Sequence, residues 1–141
     1  MGMASHLGPW LLGTVKNTTG STAGLVRNMG ATTVIQQVPV VAGSAVTLMI
    51  PAGALIQNVQ AYMTTGAAGT PNVTVGGTII GTLSTAAGLN SLTVTAANVG
   101  TMLNVGTTDA ILSYTATAAS AGTLVVSYAV RNSDGSIVPT P

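Results

Sequence analysis

Apolar and polar residues alternate along the chain from Thr33 onward, in runs too short for helices. Ala45 to Ile50 places Val46, Leu48 and Ile50 on one face, the two-residue period of a half-buried strand. Thr33 to Val41 is rich in β-branched residues, and Pro39 marks it as an edge strand or a bulged one. Leu55 to Thr65 continues the pattern, with Ile56 or Val59 inward according to where a bulge falls. Asn72 to Val75 and Thr78 to Leu83 flank Gly76-Gly77, a dipeptide suited to a two-residue hairpin. Ser91 to Thr95 reads as another short strand, and Asp109 to Thr117 and Thr123 to Arg131 as a closing hairpin pair joined by the small residues Ala118 to Gly122. The one helical stretch is Thr95 to Leu103, where Thr95 would cap a turn carrying Val99, Met102 and Leu103. Short strands at regular spacing with turn signals between them predict an all-β fold, an antiparallel β-sandwich or barrel.

The ends of the chain follow no such period, which divides it into an N-terminal arm (1–32), a β-sandwich domain (33–131) and a short C-terminal tail (132–141). The arm carries an apolar anchor, Trp10-Leu11-Leu12, behind Pro9. Gly13 to Lys16 and Leu25 to Asn28 flank a glycine-punctuated turn region as a loose hairpin. Two readings of Trp10 stand: a large ring that docks on a neighbouring subunit, or a cap over one end of the domain's own core. The tail is polar and leaves through Val138-Pro139-Thr140-Pro141 as an extended exit.

Charge changes the picture most. Charged residues make up 4% of the 141-residue chain, against about 25% in ordinary soluble domains. Only Lys16, Arg27, Arg131, Asp109 and Asp134 carry charge, for a net of +1. Such a surface offers almost no colloidal repulsion and favours association. Its strand edges lack the lysines that usually guard against pairing, which predicts that they are covered in the working state. There is no basic patch, so phosphate neutralisation gives no basis for nucleic-acid binding. Mean hydropathy is +0.60, yet polar residues interrupt every apolar run before the length of a membrane helix. The segment Leu7 to Leu12 is short, holds Pro9 and has no basic stretch before it, unlike a secretory signal. Synthesis in a cytoplasm is the expectation.

The chemistry available is sparse. With one histidine, two aspartates, no glutamate and no cysteine, neither a disulfide framework nor a metal cluster is expected, and a Ser-His-Asp arrangement would have to draw His6 from the arm. Asp109 reads as a turn residue before the strand beginning at Ala110. Arg27 and Arg131, being so scarce, are either intersubunit contacts or plain solvated positions. The candidate interface residues are therefore Trp10, Leu11, Leu12, Lys16, Arg27 and Arg131. Met29, Met49, Met63 and Met102 read as core or interface filler. Tyr62, Tyr114 and Tyr128 read as half-buried sheet residues, less readily as a sugar-stacking platform.

The stretch Ile50-Pro51-Ala52-Gly53-Ala54-Leu55-Ile56-Gln57-Asn58-Val59, followed by Val73-Thr74-Val75-Gly76, resembles tailed-bacteriophage head proteins. The small β-sandwich cement (decoration) proteins of that group carry a Pro-Ala-Gly turn between two strands and a later Thr-Val-Gly strand end. Ala96-Ala97-Asn98-Val99-Gly100 with Val105-Gly106-Thr107-Thr108-Asp109 is similar to these proteins too, those of cyanophages included. The resemblance spans Ala45 to Arg131. It implies a jelly-roll-like homotrimer on the virion surface that bridges major capsid subunits against the pressure of the packaged genome. It implies no enzyme activity, cofactor, small-molecule substrate, nucleic acid or membrane, and would make the N-terminal arm the element that grips the capsid. The near absence of charge departs from the family pattern. Two alternatives remain: a tail, collar or fibre component, and a carbohydrate-binding or adhesin module reading sugars with a strand tyrosine.

Overall fold

The computed structural model describes residues 32–131. These residues hold nine strands, β1 (Thr32–Val40), β2 (Ala45–Ile50), β3 (Leu55–Thr65), β4 (Asn72–Val75), β5 (Thr78–Thr82), β6 (Gly88–Ser91), β7 (Thr93–Val94), β8 (Ala110–Thr115) and β9 (Ala121–Val130). A 3-10 turn (Ala96–Asn98) and a short helix α1 (Val99–Leu103) lie between β7 and β8. Two antiparallel sheets, ordered β1-β9-β3-β6 and β2-β8-β4-β5-β7, pack against each other as the expected all-β sandwich.

The core between them is what the alternation requires. Val59, Ala61 and Met63 of β3 face Leu112 and Tyr114 of β8 and Val73 and Val75 of β4, with Leu124, Val126 and Tyr128 of β9 beside them. Each fully buried valine or leucine contributes about 1.5–3 kcal/mol relative to exposure. The choice between Ile56 and Val59 resolves in favour of both. A bulge between Ile56 and Asn58 in the β3–β9 ladder leaves Gln57 and Asn58 exposed and turns the residues on either side inward. The hairpin at Gly76-Gly77 forms as expected, with φ of 56° and 83° at the two glycines, the left-handed pair that a two-residue turn of this hand requires.

Four expectations are corrected. Strands β8 and β9 are not a hairpin pair: β8 lies between β2 and β4 in one sheet, β9 between β1 and β3 in the other. The link from Ala116 to Ser120 crosses from sheet to sheet, which is why Ala116 and Ser120 are buried within it. The expected strand from Ser91 to Thr95 divides at Leu92. Gly88 to Ser91 pairs with β3, Thr93 and Val94 pair with β5, and Leu92 crosses between the sheets, its N–H donating to the Val59 carbonyl. Thr95 stands where the 3-10 turn begins but makes no side-chain capping bond, and of the apolar residues carried on the stretch Met102 is buried while Val99 and Leu103 are exposed.

Tyrosine burial is the fourth. Tyr114 and Tyr128 are core residues and not half-buried ones, whereas Tyr62 is exposed. Tyr128 keeps a partner, because Gln36 on the inward side of β1 donates to its hydroxyl at 2.6 Å. Tyr114, 1% exposed, has no partner for its hydroxyl. Burial holds its ionisation above the ordinary value of 10.0. Removing an unbonded buried hydroxyl also removes its desolvation cost, so Tyr114→Phe is expected to leave stability at neutral pH unchanged or raise it by about 1 kcal/mol. The pH dependence has a definite sign. The unfolded chain releases the Tyr114 proton more readily than the folded one, so wild-type stability falls as pH rises above 10.0 and the variant escapes that part of the fall. Denaturant titrations at neutral and alkaline pH check both.

Candidate functional site

Within residues 32–131 the charged side chains are Asp109 and Arg131. Both close onto the turn between β2 and β3, at the end of the sandwich where the Pro-Ala-Gly sequence lies. Asp109 fixes that turn by accepting the Ala52 N–H at 2.9 Å, consistent with its expected place just before β8. Arg131, half-buried at the end of β9, donates from Nε to the Gly53 carbonyl at 2.8 Å and from a terminal guanidinium nitrogen to the Leu103 carbonyl. The backbone adds two bonds to the same turn, Gly53 N–H to the Gly106 carbonyl (2.7 Å) and Val105 N–H to the Ala54 carbonyl (3.1 Å). The arginine that the sequence left between an intersubunit contact and a solvated position thus holds its own chain together. Trp10, Leu11, Leu12, Lys16 and Arg27, the other candidate interface residues, lie outside the described residues.

With both charges engaged at one end, the outer faces of the two sheets carry none. On the four-stranded sheet, Ile35, Tyr62 and Leu89 are exposed, and Thr123 and Val125 lie half-buried between them. The register puts Thr123, Tyr62 and Leu89 side by side across β9, β3 and β6, one row from Gln37, Val125 and Gln60. On the five-stranded sheet, Met49 pairs with Ile111, and the next row runs through Thr47, Ser113, Thr74 and Ile79. Of the methionines expected as core or interface filler, Met63 and Met102 are in the core and Met49 is exposed on this face.

This second face runs into a cleft of about 630 Å³ at the charged end of the sandwich. One wall is the Gly76-Gly77 hairpin turn with Thr74 and Thr78, and the other is the segment from Thr101 to Asp109. Ala110, Ile111 and Ser113 of β8 form the floor. Thr74 and Ser113 are direct cross-strand partners, and the Gly76 N–H donates to the Ile111 carbonyl, so wall and floor are tied to one sheet. Asn104 at the end of α1 accepts the Gly106 N–H on Oδ1 at 3.0 Å. None of this convergence is visible in the sequence beyond Gly76-Gly77 and Asp109, because the hydroxyls come from four separate segments. Among the described residues no group of three or more His, Cys, Asp or Glu stands close enough to hold a metal ion, and no helix is long and apolar enough to cross a membrane. Set against family models, curated proteins and solved structures, the chain matches none of them.

Proposed function

We propose that this chain is a non-enzymatic virion structural protein, a capsid cement (decoration) protein that acts as a homotrimer and bridges major capsid subunits on a tailed-phage head. One observation supports this above the others: the only two charges in residues 32–131 bond within the chain, leaving both outer sheet faces uncharged. Burying a charge against a neighbour is costly unless it is paired. Faces of threonine, serine, alanine and aliphatic side chains meet a neighbour without that penalty. The proposed role needs no cofactor, nucleic acid, membrane or small-molecule substrate.

The strand orders support the finer reading of the sandwich as a jelly roll. Strands β1-β9-β3-β6 oppose β2-β8-β4-β5, so the first strand pairs with the last and the second with the last but one. The chain changes sheet at nearly every connection, and the β4–β5 hairpin is the one link between adjacent strands of the same sheet. Strands β3, β8 and β9 are each held on both sides by partners distant in sequence, an arrangement suited to bearing load.

Light scattering on the purified full chain tests the assembly: a mass three times that of the 13.8 kDa chain is expected. A stable monomer at high concentration would count against the role. Mass spectrometry of purified particles of the parent virus tests the location, and particles lacking the chain would sink it.

A further inference from the structure

We propose that the cleft between the Gly76-Gly77 turn and the Thr101 to Asp109 segment is a binding site for a neutral, polyhydroxylated ligand, a short saccharide. The site is independent of the virion reading, since it rests on the cleft alone. Its volume, about 630 Å³, falls within the range of small-molecule sites. The lining decides the ligand class by what it offers and what it repels. No cation lines it and Asp109 does, so phosphates and other anions are disfavoured. A lone carboxylate is too few ligands for a metal ion. A wholly apolar ligand would bury the hydroxyls of Thr74, Thr78 and Ser113 without partners, at a cost for each.

A sugar answers each of these groups. Asp109 is exposed and forms no ion pair among the described residues. Its Oδ1 is held by the Ala52 N–H, so the carboxylate is already oriented and its remaining acceptor capacity faces a pair of ligand hydroxyls with little further ordering. The threonine and serine hydroxyls both donate and accept, as sugar hydroxyls do. Ile111, 49% exposed, offers a small apolar patch for the C–H face of the ring. Gly77 at φ 83° has open space where a side chain would stand, which lets a ligand approach the turn backbone. This places sugar recognition away from the strand tyrosines, of which Tyr114 and Tyr128 are buried and Tyr62 lies on the opposite sheet. With no aromatic platform in the cleft, affinity is expected on the order of 1 mM.

The test is an amide NMR titration of the isotope-labelled full chain with glucose, galactose, mannose, N-acetylglucosamine and lactose, and separately with inorganic phosphate. At least one sugar should give saturable shifts confined to residues 74–78 and 101–113, while phosphate gives none there. Asp109→Asn keeps an acceptor for the Ala52 N–H but loses the charge, and should weaken binding at least about tenfold, a 1.4 kcal/mol loss. Ser113→Trp, which fills the floor from the sheet face, should abolish it with the rest of the spectrum unchanged. Absence of saturable shifts with all five sugars overturns the proposal. So do shifts on the Tyr62 face instead, phosphate shifting the same amides, or undiminished binding by the Ser113→Trp protein.

Discussion

Gly122→Ala is expected to destabilise the domain by about 3 kcal/mol or more, a large part of the 5–15 kcal/mol that holds an ordinary domain together. Gly122 is the second residue of β9, between Val40 of β1 and Met63 of β3. A Cβ built there falls inside the van der Waals contact of the Tyr62 carbonyl and the Met63 Cα. Both obstacles are backbone of a central strand, so no side-chain rotation relieves the clash. The strand must shift, and with it the bulge between Met63 and Thr65 and the hydrogen bond from Thr64 Oγ1 to the Ala121 carbonyl. The same substitution at Gly100, inside α1 and with open space where a Cβ would stand, supplies the opposite case. There alanine reduces unfolded-chain entropy and is expected to gain about 0.5–1 kcal/mol. Urea unfolding of the two variants beside wild type reads both signs; equal midpoints would refute the close-approach argument.

Gly122 also illustrates which parts of the fold were legible. Alternation located β2, β3 and β4 to the residue and β1, β5, β8 and β9 to within a few, because strand existence is written in a two-residue period. Partnership is not. Gly122 read as part of a small-residue link because what demands a glycine is Tyr62, sixty positions earlier, and no local pattern records that approach. The same blindness made β8 and β9 a hairpin, since two strands joined by a short link look alike whether the link turns within a sheet or crosses to the other. Strand β6 was missed because Gly88-Leu89-Asn90-Ser91 presents no buried face: it is an edge strand with Leu89 outward.

Site legibility followed a similar line. Asp109 was placed correctly just before β8, but its bond to the Ala52 N–H spans 57 positions and left no local sign. The contacts of Arg131 to Gly53 and Leu103 span 78 and 28 positions, and could not be read from a lone arginine at a strand end. Chain composition carried the functional reading further than any motif did, because a charge that is missing from the sequence is missing from every surface the fold can build.

Thr85→Val is the second substitution with a large expected effect, a loss of about 2–3 kcal/mol despite preserved shape. At the sandwich end opposite the charged turn, three loops meet around fully buried Thr85 and Ser120. The Thr85 hydroxyl donates to the Ala67 carbonyl at 2.7 Å, with the Gly69 carbonyl at 3.2 Å, and accepts from Thr117 at 3.1 Å. Ser120 Oγ accepts the Ala67 N–H at 3.2 Å and sits 3.0 Å from Thr117 Oγ1. Valine would fill the volume and leave the Ala67 carbonyl and the Thr117 hydroxyl each one partner short. The cluster also holds Ala119 at φ 72°, a left-handed conformation that alanine adopts only when its neighbours fix it, here through the turn closed by Ser120 N–H on the Thr117 carbonyl. Once that cluster is loosened, the 66–71 and 116–120 loops are expected to open together. Hydrogen exchange should therefore show Ala67, Thr85 and Ser120 amides losing protection in step, while amides at the Gly53 end stay as in wild type. Loss of protection at both ends alike would mean that the hydroxyl cluster acts through global stability and does not govern its own loops.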